Sequence, residues 1–416
     1  MLQNLTVNEI FGLFGLLLII GFLADYLFKK TNFPDILLLL GLGYLVGPVL
    51  HIFDPVQLAS VSQLIANLAL IIIIFNGGIG FDFASIISNA PRALVLAILG
   101  VVFSIFAIAW PIQYLYNWPL LDSLLLGTII GGTSSATIIA LVSHARVKEQ
   151  VSSLLSLESV LNSPIIIVLA LILMEAISSG EGGISLAGVG QAISIRFLLG
   201  IAMGAFAGMV WLWLLSLMQR ESYNDIVTLA TVFLLYFLTE SVNGSGVIFA
   251  LVFGVMLGNG VSLSKKLKFS TTIASTEVMK GFTAEIYFLI KTFFFIYLGA
   301  IINFSQPQYA IFGIIASFVL LFARLVAALL SSIGNNVLIE NQGILTTMLA
   351  RGESAAVLVQ LVAASQIPNA TLYPDIVMAV IITTTLISAA GIIIFADKGT
   401  KELKVPKVRK NPDSYA

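Results

Sequence analysis

Residues 153–176 read SLLSLESVLNSPIIIVLALILMEA, and this stretch decides the fold of the chain. It is apolar and long enough to cross a bilayer, which takes about 20 residues of α-helix. Glu158 lies within it, although an ionisable side chain at that depth costs on the order of several kcal/mol. We therefore predict a membrane-spanning helix here, and Glu158 is the starting point for a functional site.

The whole chain has the composition of a membrane protein. Of its 416 residues, 59% are hydrophobic and only 10% are charged, whereas a soluble domain carries about 25% charged residues. Apolar segments of about 20 residues recur along the chain. We predict an all-α, polytopic membrane protein of about thirteen transmembrane helices. A single membrane domain covers residues 1–396, and a basic cytoplasmic tail covers residues 397–416.

Positive charges are unevenly distributed between the predicted loops. If the N-terminus lies outside, 16 of the 20 Lys and Arg residues fall in inside loops or in the tail. This asymmetry follows the positive-inside rule and predicts a multi-pass protein of the cell membrane with a cytoplasmic C-terminus. We expect the tail to anchor the last helix rather than to bind nucleic acid. Cysteine is absent, which excludes disulfides and thiolate metal sites, and we predict no cofactor.

Three sequence motifs occur twice in the same order. The pairs are GYLVG (residues 43–47) with GVMLG (254–258), GIGFDF (78–83) with GAIINF (299–304), and GTSSAT (132–137) with GESAAV (352–357). The members of each pair lie seven predicted helices apart, and because seven is odd, the two copies run in opposite directions. This predicts an inverted repeat of helices 1–6 and 8–13, a pattern typical of secondary transporters. The alternative is chance, because small-xxx-small motifs are common in helix packing.

Predicted helices 5 and 12 contain glycine and small polar residues near the middle of the membrane. Residues 131–135 (GGTSS) and 351–354 (RGES) are the points at which we predict two crossed broken helices. Small hydroxyl residues can hydrogen-bond to backbone groups that unwinding exposes, which lipid cannot do. Helix ends that meet there would offset buried charge of either sign.

Ionisable and polar side chains cluster at the same depth. Counting from helix ends at about 1.5 Å per residue places two acids and three bases at mid-membrane. Asn162 lies one helical turn after Glu158, on the same face. We predict an ion- and proton-binding set of Glu158, Ser159, Asn162, Thr133, Ser134, Ser163 and Glu353, with Arg324, Arg351 and Lys291 as charge-pairing residues. Oxygen ligands suit hard cations, so we place a monovalent cation at Glu158, Thr133 and Ser159.

Other interpretations of these residues stay open. Glu158 could be a permanent structural partner of Arg324, and Arg351 could neutralise a helix C-terminus. Glu175 and Glu240 lie near helix ends, where we expect them to be solvated or interfacial. The predicted middle layer holds three bases and two acids, so it is net positive and would repel a cation.

The motifs LLGLGYLVGP, FNGGIGFDF, SLESVLNSP, FFFIYLGAII, FARLVAAL and ARGESAAV occur in this order along the chain. In this order they resemble segments of the monovalent cation:proton antiporter superfamily, especially its archaeal and bacterial sodium/proton exchanger branch. The resemblance implies a homodimer and elevator-like alternating access. It implies a core of helices 4–6 and 11–13, roughly residues 91–176 and 308–396. The dimerisation part would comprise helices 1–3 and 7–10, roughly residues 9–82 and 194–303.

The chain departs from the family pattern at three acidic positions. The family's helix 6 carries an Asn-Asp or Thr-Asp pair whose aspartate binds cation and proton, and here the pair is Asn162–Ser163. Thr-Asp-Pro of helix 5 is replaced by residues 133–135 (TSS), and a glutamate of helix 3 is replaced by Asn76. We expect exchange of Na+ or K+ for protons, with Glu158 as the shared carboxylate because the usual aspartate is Ser163.

Two other function classes compete with this expectation. An uncoupled transporter, or one with an altered substrate, would fit the lost aspartate, and a non-transporting membrane sensor is a third candidate. An enzyme is not expected, because the sequence has no nucleophile–base set, metal-ligand cluster or phosphate-binding loop.

Overall fold

The structure is a computed structural model, and it describes residues 7–31, 33–51, 55–80, 83–178, 186–218, 223–267, 273–302 and 306–396. The predicted tail (397–416) lies outside the described residues. Within them the fold is all-α, as predicted, with seventeen α-helices. They are α1 (Val7–Thr31), α2 (Asp35–Tyr44), α3 (Pro55–Ile79), α4 (Phe83–Tyr116), α5 (Leu120–Ile129), α6 (Ser135–His144), α7 (Glu149–Ser178), α8 (Leu186–Leu217), α9 (Asn224–Ser241), α10 (Gly246–Gly258), α11 (Gly260–Leu267), α12 (Ile273–Ile301), α13 (Pro307–Ser331), α14 (Asn336–Glu340), α15 (Gln342–Thr347), α16 (Glu353–Ala363) and α17 (Tyr373–Phe395).

Six helices of the described part are long and apolar enough to cross a membrane, and six shorter apolar helices accompany them. Helix α2 continues into a π-helical turn at Leu45–Val49. Predicted helix 5 consists of α5 and α6, and predicted helix 12 contains α15 and α16. The polytopic, all-α class is confirmed, whereas the number of thirteen crossings stays a prediction.

Helices α2 and α12 pack with their backbones in contact. A Cβ atom on Gly43 would lie 2.1 Å from the carbonyl oxygen of Ile296, and one on Gly47 would lie 2.3 Å from that of Ala300. Gly299 is equally restricted, because its Cβ would lie 2.2 Å from the oxygen of Leu40. Only glycine lets the helices approach this closely, so these positions set the close packing of the two helices.

Helices α3 and α10 pack in the same way. A Cβ atom on Gly78 would lie 2.4 Å from the oxygen of Leu251, and one on Gly258 would lie 2.1 Å from the oxygen of Ile79. In both helix pairs, a glycine of the first motif in one half of the chain packs against a glycine of the second motif in the other half. The pairs are Gly43 with Gly299 and Gly254 with Gly78. An inverted repeat would produce such reciprocal packing, although the repeat itself stays a prediction.

The two helix breaks lie where the sequence predicts them, and they contact each other. Helix α5 ends at Ile129 and α6 begins at Ser135, while α15 ends at Thr347 and α16 begins at Glu353. The backbone N–H of Ser134 donates to the carbonyl oxygen of Ala350 at 2.8 Å. The two non-helical segments thus meet inside the protein.

Hydroxyl groups of α17 satisfy much of the backbone freed by the second break. Leu349 N–H donates to Ser388 Oγ at 3.1 Å, and Arg351 N–H donates to Thr384 Oγ1 at 3.1 Å. Thr385 Oγ1 donates to the carbonyl oxygen of Arg351 at 3.3 Å. Irregular backbone at this depth is tolerated because protein groups replace water as hydrogen-bond partners.

Candidate functional site

Glu158 on α7 and Arg324 on α13 form a bidentate ion pair. Arg324 Nη1 lies 2.8 Å from Glu158 Oε1, and Nη2 lies 3.0 Å from Oε2. The Nε atom of Arg324 donates to the carbonyl oxygen of Leu345 at 3.1 Å, which fixes the guanidinium plane. Glu158 has no exposed surface and Arg324 is 3% exposed. Paired hydrogen bonds of this geometry are among the strongest that side chains form.

Two further side chains donate to the same carboxylate. Asn162 Nδ2 lies 3.0 Å from Glu158 Oε1, and Thr133 Oγ1 lies 3.3 Å from that atom. The predicted cation ligands Glu158 and Thr133 are therefore together. The third predicted ligand does not join them through its hydroxyl, because Ser159 Oγ donates to the carbonyl oxygen of Ser156 at 3.0 Å. The three-ligand cation site therefore stays a prediction.

Glu353 is the first residue of α16 and has a different environment. Ser134 Oγ, at the break between α5 and α6, donates to Glu353 Oε2 at 2.5 Å. Tyr287 Oη on α12 donates to Glu353 Oε1 at 2.8 Å. Glu353 is 3% exposed, so this carboxylate is buried with two neutral hydroxyl donors. The amino end of α16 also favours a negative charge.

A cavity of about 190 Å³ lies beside Glu353. Its polar lining comes from five different helices, and it comprises Asn76, Ser135, Ser163, Tyr287, Glu353 and Ser354. Ser163 Oγ lies 3.5 Å from the carbonyl oxygen of Thr133 and 3.4 Å from that of Ser159. The contact with Thr133 joins the cavity to the break between α5 and α6. Among the described residues, Glu353 and not Glu158 supplies the carboxylate of this cavity.

Lys291 on α12 pairs with Asp35, the first residue of α2. Their Nζ and Oδ2 atoms lie 2.6 Å apart, and both side chains are buried. Asp35 is not among the residues singled out from the sequence. The feature that could have indicated Asp35 is the mid-helix position of Lys291, which needs a buried acid as partner. Helix α2 begins beside that part of α12.

Asp35 changes the charge balance of the site. The described cluster contains three acids and three bases, the acids being Asp35, Glu158 and Glu353 and the bases Lys291, Arg324 and Arg351. The predicted net positive layer is therefore wrong, because the count omitted one acid. With full ionisation the cluster is neutral, which removes the repulsion expected for a cation.

Arg351 precedes Glu353 by two residues and is 2% exposed. Its Nε atom is buried without a hydrogen-bond partner in the described part of the chain. Its charge interacts with those of Arg324 and Glu158. Arg351 thus supplies a positive charge at the break without the direct carboxylate contact that Arg324 and Lys291 make.

A second charged group joins α7, α8 and α9 at one end of the bundle. Arg196 Nη1 contacts Glu175 Oε2, and Nη2 lies 3.1 Å from Glu240 Oε2. These residues line a cavity of about 340 Å³. We expected Glu175 and Glu240 to be solvated or interfacial, and the structure adds that both are paired with one arginine.

The chain is similar to known cation/proton antiporters along almost its whole length. The transmembrane sodium/hydrogen exchanger family matches residues 15–396. The K(+)/H(+) antiporter NhaP2 of Shewanella baltica is 25% identical over 411 residues, covering 96% of this chain and 68% of the relative. The Na(+)/H(+) antiporter ApNhaP of Aphanothece halophytica is 26% identical over 280 residues, covering 66% of this chain and 51% of the relative.

The fold also matches a solved structure. The sodium proton antiporter MjNhaP1 from Methanocaldococcus jannaschii, determined at pH 8, aligns with a TM-score of 0.76 and 23% sequence identity. The alignment covers 92% of this chain and 95% of that chain. At this identity the structural likeness establishes the fold alone. The family and its transport activity rest on the family match over residues 15–396. Together they confirm the resemblance found in the motifs: the chain belongs to the transmembrane sodium/hydrogen exchanger family, as a multi-pass membrane antiporter of monovalent cations and protons and not an enzyme.

Proposed function

We propose that this protein exchanges Na+ or K+ for protons across the cell membrane, and that Glu353 binds the cation and the proton in turn. One observation carries the assignment. Of the three acids in the buried cluster, Glu353 alone has only neutral hydrogen-bond donors, and it lines a cavity. That cavity also contains Ser163, the position at which the family resemblance implies an aspartate.

Glu353 can alternate between two neutralised states. A carboxylate in a dry site must be neutralised by a proton, a cation or a fixed base. No basic side chain of the described residues hydrogen-bonds to Glu353, so a mobile ion can take that place. Hydroxyl and amide oxygens on the same cavity can complete the coordination of a hard cation. A bound cation and a bound proton exclude each other at one carboxylate, and this exclusion is what couples their movements.

Glu158 is the alternative carboxylate, as we predicted from the sequence. Its two oxygens already receive four donors, two of them from the Arg324 guanidinium. A cation at Glu158 would have to displace that guanidinium and leave a buried positive charge unpaired. Breaking such a pair costs about 3–5 kcal/mol, so the contacts favour Glu158 as a structural partner of Arg324.

We further propose elevator-like alternating access in a homodimer, with the N-terminus outside and the C-terminus in the cytoplasm. Glu353 belongs to the predicted core, whereas Tyr287 belongs to the predicted dimerisation part. Movement of the core would separate the two side chains and carry the cavity from one side to the other. The charge asymmetry of the loops supports the orientation.

Exchange in proteoliposomes tests the function and the assignment together. A pH-sensitive dye inside the vesicles reports proton movement when an Na+ or K+ gradient is applied. We expect exchange by the native protein, loss of exchange in Glu353→Gln, and partial exchange in Glu353→Asp. Absence of cation-driven proton movement in the native protein would contradict the function.

A double variant separates the two carboxylates. In Glu158→Gln/Arg324→Gln both charges of the ion pair are removed, so no buried charge is left without a partner. If Glu353 is the carrier, this variant retains exchange. If Glu158 is the carrier, the double variant is inactive although it folds, and Glu353→Gln remains active.

One of the two grounds for an uncoupled transporter, or for one with an altered substrate, is removed. That alternative rested on the lost aspartate of helix 6 and on a net positive middle layer, and Asp35 makes the described cluster balanced. Ion flux without accompanying proton movement in the same vesicles would restore it.

A further inference from the structure

We infer that Asp35 is a positioning residue of the exchange site, which holds the Lys291 ammonium away from Glu353 and so leaves that carboxylate open to the transported cation. The inference rests on the proposed role of Glu353. It assigns a task to a buried acid that takes no part in cation binding.

Three contacts connect Asp35 to the site. Asp35 Oδ2 lies 2.6 Å from Lys291 Nζ. The same Nζ atom lies 5.9 Å from the centre of the Tyr287 ring, one helical turn earlier on α12. Tyr287 Oη donates to Glu353 Oε1 at 2.8 Å. The charges of two carboxylates therefore act on a single ammonium, and it bonds directly to only one of them.

The position of Asp35 is fixed on both sides. Its Oδ1 atom accepts the backbone N–H of Ile36 at 2.9 Å, so the carboxylate is held at the start of α2. Helix α2 is itself locked against α12 by the contacts of Gly43 and Gly299. The short distance between Asp35 and Lys291 is thus set by the packing of α2 on α12 and does not depend on Glu353.

Glu353 is the second carboxylate whose charge acts on Lys291. Among the carboxylates whose charges act on it, Asp35 interacts most strongly and Glu353 follows, ahead of Asp25. Lysine is a flexible point charge on a four-carbon stem. If Asp35 lost its charge, the ammonium would be left buried and unpaired, and Glu353 would be the next acid available to neutralise it.

A tethered ammonium on Glu353 would compete with the transported cation. Competition raises the cation concentration needed for half-maximal exchange and leaves the maximal rate intact at saturating cation. A purely structural role of Asp35 would instead lower the amount of folded protein or the maximal rate. The apparent KM for the cation therefore separates these two roles.

The experiment compares Asp35→Asn, Asp35→Ser and Asp35→Asn/Lys291→Gln with the native protein in proteoliposomes, using Na+ and K+ in separate series. We expect each single variant to raise the apparent KM about tenfold, which corresponds to about 1.4 kcal/mol. The double variant removes the competitor together with its partner, so its KM should return to the native value. Serine keeps a hydroxyl at the start of α2, so it covers the case in which the asparagine variant does not fold.

Asp122→Asn is the matched control. Asp122 is also a buried aspartate in the first turn of a helix, and it accepts a hydrogen bond from Asn369 at 3.2 Å. The Asp122→Asn variant should leave the apparent KM for the cation unchanged. The inference is overturned if a folded Asp35 variant keeps the native KM, or if the added Lys291→Gln change fails to restore it. If instead the native protein does not exchange, or Glu353→Gln does, the proposed function itself fails.

Discussion

Ser163 on α7 and Glu353 on α16 line the same cavity, although they come from distant parts of the chain. The family resemblance implies an aspartate at the position of Ser163. Here Glu353 lines the cavity from the start of α16, and Ser163 is neutral. In the proposed function, Glu353 is the carboxylate of this cavity in place of that aspartate.

This relationship predicts a rescue experiment. Adding Ser163→Asp to Glu353→Gln should restore cation/proton exchange, because the new carboxylate enters the same cavity. Exchange is measured with the pH-sensitive dye in proteoliposomes. The matched control is Ser159→Asp in the same background. Ser159 has no exposed surface and bonds to its own helix, so its aspartate should give no rescue. Equal recovery in both double variants would contradict the assignment.

The ion pair of Glu158 and Arg324 predicts that each single variant is less stable than the double variant. Replacing either residue alone, by glutamine for Glu158 or methionine for Arg324, should destabilise the fold by about 3–5 kcal/mol because the other charge stays buried. Replacing both should recover most of that loss. Thermal unfolding of the purified protein in detergent measures the effect. Additive losses in the double variant would argue against a mutual pair.

The close contact of α2 and α12 predicts that Gly43→Ala is harmful. A Cβ atom at this position would lie 2.1 Å from a backbone oxygen that cannot move independently. Overpacking of this kind costs at least about 1–3 kcal/mol. Gly41→Ala is the control on the same helix, because a Cβ atom there meets nothing within 4 Å. Size-exclusion profiles and unfolding temperatures should separate the two variants, and equal behaviour would contradict the packing.

The contacts of Arg196 predict the outcome of cross-linking. Arg196 contacts Glu175 on α7, in the predicted core, and Glu240 on α9, in the predicted dimerisation part. The chain has no native cysteine, so introduced pairs are the only thiols. A short bifunctional thiol reagent across Glu175→Cys and Arg196→Cys should stop exchange, because the proposed alternating access moves the two parts relative to each other.

The second pair provides the control for that experiment. Cross-linking Arg196→Cys to Glu240→Cys joins two helices of the same part and should leave exchange intact. Exchange that survives both cross-links would contradict the proposed division into a moving core and a fixed dimerisation part.

Both helix breaks could be predicted from the sequence. Residues 131–135 and 351–354 combine glycine with small polar side chains at mid-span, and such side chains can hydrogen-bond to backbone groups that lipid would leave unsatisfied. The groups that satisfy the freed backbone could not be predicted. They include Thr384 and Ser388, which belong to another helix and carry no local signal of that role.

Asp35 illustrates the limit of counting along a helix. It is the first residue of α2, and a helix end normally lies at the membrane surface, yet Asp35 is buried. Its burial follows from the depth at which α2 begins beside α12, and that depth is a property of the packing. The error in the predicted charge balance has the same origin.

The sequence by itself determined the class of this protein, because hydrocarbon leaves a chain of this composition only one way to satisfy its backbone across a membrane. It also indicated that Glu158, Glu353 and three basic residues lie at mid-membrane, but it did not indicate that Asp35 is buried with them. Only the tertiary structure decided which acid meets which base. The Glu158–Arg324 contact joins positions 166 residues apart, and no local pattern fixes distances between helices. That pairing is what leaves Glu353, and not Glu158, with neutral partners beside the cavity.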